Sequence, residues 1–138
     1  MRHKWLIIAA LGIAVMLAAC GGASTQTEVV GDPERGREVF EDKNRTNCTR
    51  CHSLDGSESR VGPSLLGISG RASERVPDLS AVEYLQQSIL DPSAYIVEDF
   101  DDKMKVYQLV KEEEVEFMFA SMLTQEQLDD LVAFLLTQ

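Results

Sequence analysis

Histidine and cysteine are scarce in this chain, and that scarcity excludes most site chemistry. Of 138 residues, two are histidine, His3 and His52, and three are cysteine, Cys20, Cys48 and Cys51. A structural zinc site takes four ligands, commonly from a second Cys-x-x-Cys or a His-x-x-x-His pair, and the sequence has neither. Ser53, Ser57 and Ser59 are loop serines, and beyond the first twenty residues no histidine other than His52 is there to activate one, so the sequence indicates no serine nucleophile. Positive charge is also short: 13 Lys and Arg face 23 Asp and Glu, for a net charge of −10. A surface this acidic repels nucleic acid and is steered toward a basic partner at low salt. No apolar run reaches the roughly 20 residues a membrane-spanning helix needs. Strand-like alternation and internal repeats are absent too.

What is present describes one ordinary domain. The composition, 44% apolar and 26% charged, is that of a folded domain rather than a disordered segment. The first residues form a unit of their own: Arg2 and Lys4, an apolar run from Trp5 to Ala19, then Cys20. A run of that length suits the apolar region of an export signal. Its end, Leu17-Ala18-Ala19-Cys20, resembles the bacterial lipoprotein lipobox, which implies cleavage before Cys20 and acylation of that residue. The alternative is an uncleaved anchor helix with Cys20 incidental. Cleavage removes Arg2 and Lys4, leaving 11 basic against 23 acidic residues and a net charge of −12. The expected organisation is a signal over 1–19, a lipidated cysteine and flexible tether over 20–31, and a domain over 32–138. It places the domain on the outer face of a bacterial membrane.

Within the domain, Asp32-Pro33 opens a helix that should end near Lys43, because Asp is a good N-cap and Pro fits the first helical position. Between Ser53 and Pro77, glycine, proline and serine punctuate the chain so densely that a long loop without regular structure is expected. Ser80 caps a helix through Leu90, with Val82, Leu85 and Ile89 on one face. Lys111 to Phe119 reads as another. Thr124 opens the last helix, with Gln127 at the capping-box position and Leu128, Leu131, Val132 and Leu135 as its buried stripe. The fold class is all-α.

The stretch Cys48-Thr49-Arg50-Cys51-His52 carries the chemistry. Cys-x-x-Cys opens a zinc half-site, a redox dithiol or a covalent haem attachment. Zinc lacks its other ligands, and a redox pair needs a strand-to-helix setting, whereas here a helix precedes the motif and a glycine-rich loop follows. Haem c uses all three residues: two thiols form thioethers to the vinyl groups and the adjacent histidine coordinates iron. A disulfide or bare dithiol remains the alternative.

At this point the sequence resembles the class I monohaem cytochromes c over nearly the whole domain. Gly62-Pro63-Ser64-Leu65-Leu66-Gly67-Ile68-Ser69-Gly70-Arg71 matches that family's G-P-x-L-x-G-x-x-G-R loop. The resemblance implies that the Pro63 carbonyl accepts the His52 Nδ1 proton, that Leu65 packs on haem c, and that Arg71 lies near a propionate or is a solvated loop charge. Gly36 and Phe40, with Leu131 and Phe134, reproduce the spacings at which the family crosses its first and last helices. It further implies a haem wrapped by the long loop, with an extra helical insertion before the last helix.

The sixth iron ligand is open at the level of sequence. The run "DPSAYIVEDFDDKM" resembles the family's stretch from its second helix to the ligand and so favours Met104, but Lys105 follows it where proline is usual. Counting back from the last helix lands on Met118. Val115, Met118, Phe119 and Met122 also recur as a helical stripe, a pattern more often core than ligand. Met104 is the expected ligand and Met118 the alternative; Met122, an external ligand and an open position remain.

The function implied is one-electron transfer by a membrane-anchored carrier rather than an enzyme. Its expected setting is as a subunit of a respiratory or photosynthetic complex, including the quinol-oxidising alternative complex III type. The other readings are a tethered shuttle between redox partners, a haem sensor or enzyme with an open sixth site, and an adaptor whose haem only staples a small domain.

Overall fold

A computed structural model of the chain describes residues 30–57, 61–111 and 122–138. The expected signal, Cys20, Met118 and all but the first residue of the helix expected over 111–119 lie outside the described residues. Helix α1 spans Pro33–Glu41, α2 Ile68–Arg75, α3 Ala81–Leu90 and α4 Gln125–Leu135. Single 3₁₀ turns occupy Cys48–Arg50 and Pro92–Ala94. None of the helices is long and apolar enough to cross a membrane.

Capping sets where three of the helices begin. The Asp32 carboxylate accepts from the Glu34 N–H at 2.9 Å, and Pro33 supplies the preset first position. At α3, Ser80 and Glu83 close a reciprocal capping box, as Thr124 and Gln127 do at α4. Each box satisfies two backbone donors that a helix start would otherwise leave exposed.

Helices α1 and α4 cross at contact distance. A methyl group built on Gly36 would stand 1.9 Å from the Asp130 carbonyl oxygen and 2.7 Å from the Phe134 Cβ. Phe40 and Phe134, both almost wholly buried, stack beyond the crossing with ring centroids 5.5 Å apart. On the other side, the buried Asp130 carboxylate accepts the Asp32 N–H at 2.6 Å and the Arg35 guanidinium at 2.7 and 3.0 Å. Gly31, expected in the tether, is packed as tightly: a Cβ there would lie 2.3 Å from the Asp129 carbonyl. The chain is therefore ordered against α4 before α1 begins.

Two expectations change. The stretch expected to be an irregular loop contains α2, which buries Ile68 and Ala72 one turn apart. Gly67, at φ 69°, makes the left-handed step that starts this helix, while Gly70 and Ser73 sit on its outer side. Ser69 anchors it by donating its hydroxyl to the Gln138 carbonyl at 2.6 Å. The second change is a small sheet: β1, Gln108–Val110, pairs in parallel with β2, Met122–Thr124. Three-residue strands are too short to display alternation. Met122, expected in a helical stripe, stands in β2, and Leu123 and Thr124 after it are the buried residues. The architecture is otherwise helical, with one core formed by α1, α2, α3, α4 and Tyr107.

Because the obstacle at Gly36 is backbone, Gly36→Ala is expected to destabilise the domain by about 3 kcal/mol, a fall in Tm of about 15 °C. Alanine is the better helix former by about 1 kcal/mol, so the sign of the change in a thermal melt separates the crossing constraint from helix propensity.

Candidate functional site

The cysteine motif is folded by its own backbone. Asn47 takes the left-handed conformation at φ 49°, and the Cys48 carbonyl then accepts from both the Cys51 N–H at 3.1 Å and the His52 N–H at 3.0 Å. This single turn gathers Cys48, Cys51 and His52 against one cavity. Two contacts fix it to the rest of the fold: the Thr46 hydroxyl donates to the Val39 carbonyl of α1, and the buried Tyr107 hydroxyl donates to the Thr46 carbonyl at 2.7 Å.

His52 is held by the loop that follows. Its Nδ1 lies 2.9 Å from the Pro63 carbonyl, an acceptor that places the ring proton on Nδ1 and leaves Nε2 with a free lone pair. Burial lowers its pKa, with the Pro63 bond opposing, so the ring is neutral and able to bind a metal. Gly62 makes the approach possible, since a Cβ there would meet the imidazole Cε1 at 2.7 Å. The Leu65 N–H donates to the Ser53 carbonyl at 2.8 Å, closing the loop onto the motif.

The cavity has a volume of about 390 Å³. Cys48, Cys51, His52, Pro63, Leu65, Arg71 and Met104 all border it, with apolar walls from Phe40, Ile68, Leu85, Leu131 and Leu135. Arg71 donates to the Leu66 carbonyl and, at 3.1 Å, to the Ser64 carbonyl, bracing the loop from within. Met104 is 38% exposed and lies outside any helix or strand. Met122 does not border the cavity. Tyr107, Arg75 and the edge-on pair Tyr84 and Tyr95, with ring centroids 5.9 Å apart, also line it. Sequence reasoning passed over all four. The tyrosines had only their apolar bulk as a signal, and Arg75 follows Arg71 by one turn of a helix that was not foreseen.

This arrangement separates the chemistries that Cys-x-x-Cys allows. The two thiols are not bridged. Burial pushes the Cys48 thiol up to about 11, which keeps it protonated and inert, whereas a redox dithiol needs a low thiol pKa. No group of three or more His, Cys, Asp or Glu that could hold a metal ion occurs among the described residues. Two thiols and an oriented imidazole on an apolar cavity suit a large planar group bound through sulfur and metal together, and the residues present fit haem c.

Comparison with known proteins agrees with this geometry. The family model described as cytochrome c matches residues 33–138. Cytochrome c type-1 of Ascaris suum is 36% identical over 78 residues, which cover 48% of this chain and 66% of that protein. Cytochrome c 2.1 of Caenorhabditis briggsae is 33% identical over 78 residues with the same coverage, 48% and 66%. Cytochrome c of Euglena viridis is 40% identical over 47 residues, 34% of this chain and 42% of that protein. The chain thus spans 66% of the length of the two nematode relatives.

Tyr107 supplies a test of how the site is held. Burial pushes its phenol from 10.0 up to about 12, so between those values the unfolded chain releases a proton that the folded one keeps, and stability falls as pH rises. Tyr107→Phe is expected to cost about 1 kcal/mol at neutral pH, through the lost bond to Thr46. It should also flatten the alkaline loss of stability over that window. Denaturant melts at stepped pH check both.

Proposed function

This chain belongs to the cytochrome c family, whose haem c is covalently bound, and from that premise we propose that it is a monohaem carrier of single electrons. The observation that carries the reading is one cavity bordered by both thiols, by an imidazole with its proton tied to Pro63, and by Met104. In this reading the Cys48 and Cys51 sulfurs would attach the haem covalently, and the His52 Nε2 and the Met104 sulfur would hold its iron. When bound, haem c supplies a metal that exchanges one electron with little rearrangement. The protein's part is to fix both axial groups and keep water from the macrocycle. Pro63 holds the His52 tautomer, Leu65 adds to the apolar wall, and Arg71 braces the loop that carries both.

The setting we propose is extracytoplasmic and membrane-anchored. Its support is in the sequence: the apolar run Trp5 to Ala19 and the lipobox-like Leu17-Ala18-Ala19-Cys20. Acylated Cys20 would hold the domain at the outer face of a bacterial membrane, within reach of a redox partner protein. A resident place in a membrane redox complex suits the added segment before α4, and a tethered shuttle is the rival. Size-exclusion of mildly solubilised membranes distinguishes them, because haem eluting only at the monomer position rules out residence.

Attachment and ligation have separate readouts. Replacing both Cys48 and Cys51 by alanine is expected to let acidic acetone extract the haem and to return the polypeptide to its unmodified mass. The ferric protein should show the long-wavelength sulfur-to-iron charge-transfer band, and Met104→Ala should abolish it while Met118→Ala leaves it in place. The opposite pattern moves the ligand to Met118. A wild-type protein without the band, binding carbon monoxide when reduced, has an open sixth site and is no simple carrier.

A further inference from the structure

We propose that Tyr107 is the positioning residue for Met104, an assignment that rests on the Met104 ligand reading above and goes beyond it. Met104 has little to hold it locally. Residues 101–106 are all exposed, and the side-chain bonds along this stretch, Ser93 to Asp102 at 2.8 Å and Lys103 to Asp101, are exposed as well. Exposed polar pairs hold a segment weakly. Between Pro92 and Val110 a single residue is buried, and it is Tyr107, three positions after Met104. Its backbone N–H donates to the Ile89 carbonyl of α3 at 3.3 Å, and its hydroxyl donates to the Thr46 carbonyl at 2.7 Å. Thr46 lies two positions before Cys48. One side chain on the cavity wall thus joins the segment that presents Met104 to the turn that presents Cys48, Cys51 and His52. A phenylalanine would fill nearly the same volume, so the hydroxyl is the informative part: buried, it is costly without an acceptor, and its acceptor fixes the separation of the two segments. Gln108 and Leu109, which follow, are exposed again. Groups that orient a ligand from behind tune how firmly it binds a metal. Tyr107 does this for Met104 through the backbone.

The test uses the haem-loaded protein and the variants Tyr107→Phe, Thr46→Val and Met104→Ala. Thr46→Val removes the hydroxyl bond to Val39 and keeps the carbonyl that Tyr107 needs, so it loosens the turn without touching the proposed tie. Two readouts follow the Met104 side: the rate at which the reduced protein binds carbon monoxide, which rises with the time the sixth position spends open, and the denaturant concentration at which the ferric sulfur-to-iron band disappears. Far-ultraviolet circular dichroism follows the helices. Tyr107→Phe is expected to speed carbon monoxide binding about fivefold, the population shift that loss of one hydrogen bond allows, and to lose the band at lower denaturant than the helices. Thr46→Val is expected to lower both transitions together and to leave the binding rate near that of wild type. A Tyr107→Phe protein that binds carbon monoxide at the wild-type rate, with band and helices lost together, overturns the proposal, as does an equal acceleration by Thr46→Val. If Tyr107→Phe fails to fold, hydrogen exchange in the wild type decides. The Tyr107 amide should open in the same step that loses the band, and an amide that exchanges only on global unfolding while the band is lost earlier overturns the proposal equally. A band that survives Met104→Ala refutes the ligand reading itself, a failure told apart because it appears with Tyr107 intact.

Discussion

The crossing of α1 and α4 at Gly36 is the constraint on which the site depends. With the Asp130 carbonyl 1.9 Å from where a side chain would begin, the two backbones touch, and α1 has only one place to lie. The Asp130 carboxylate fixes it there by accepting from Asp32 and Arg35. Five residues after α1 ends, Thr46 is tied back to it through the Val39 carbonyl, and Cys48 follows two positions later. A helix free to slide along α4 would carry the cysteine turn with it. Fixed at the crossing, that turn faces the inner sides of Leu131 and Leu135.

The opposite wall is built by hydrogen bonds more than by packing, because its sequence is poor in large apolar residues. Pro63 holds His52, Ser53 holds Leu65, and Arg71 grips two carbonyls of the intervening turn. Through Ser69, the helix that carries Arg71 is bonded to the Gln138 carbonyl. The loop is thus anchored at one end to the motif and at the other to the segment that follows α4. The orientation of the His52 ring is therefore coupled to the same two helices that cross at Gly36.

Much of this was legible in the residues, and the parts that were not have physical reasons. Three helix starts could be read because Asp32, Ser80 and Thr124 are capping residues whose effect is local. Gly36 with Phe40, and Leu131 with Phe134, announce a crossing through their likeness to the spacings of the cytochrome c family. Helix α2 is hidden in the sequence because its glycines and serines read as punctuation. Two buried residues, Ile68 and Ala72, outweigh their poor propensity, which is the usual outcome when tertiary burial competes with local preference. The strands β1 and β2 are stabilised only by each other and by what covers them, and pairing between distant segments leaves no mark in either one. Tyr107 was passed over for a related reason: its partners, Thr46 and the Ile89 carbonyl, are far away in sequence.

Net charge and local charge answer different questions. A chain carrying −10 overall invites the inference of an acidic face toward every partner. Yet seven of the residues bordering the cavity are lysine or arginine and only two, Asp101 and Asp102, are acidic. A haem brings two carboxylates with it, and burying anions is unfavourable unless cations and hydrogen-bond donors meet them. The few basic residues are concentrated where that demand arises, and the surplus acids lie on surfaces where water solvates them. Overall charge therefore describes long-range steering, and the local balance of charge along the wall bears on what the cavity can hold.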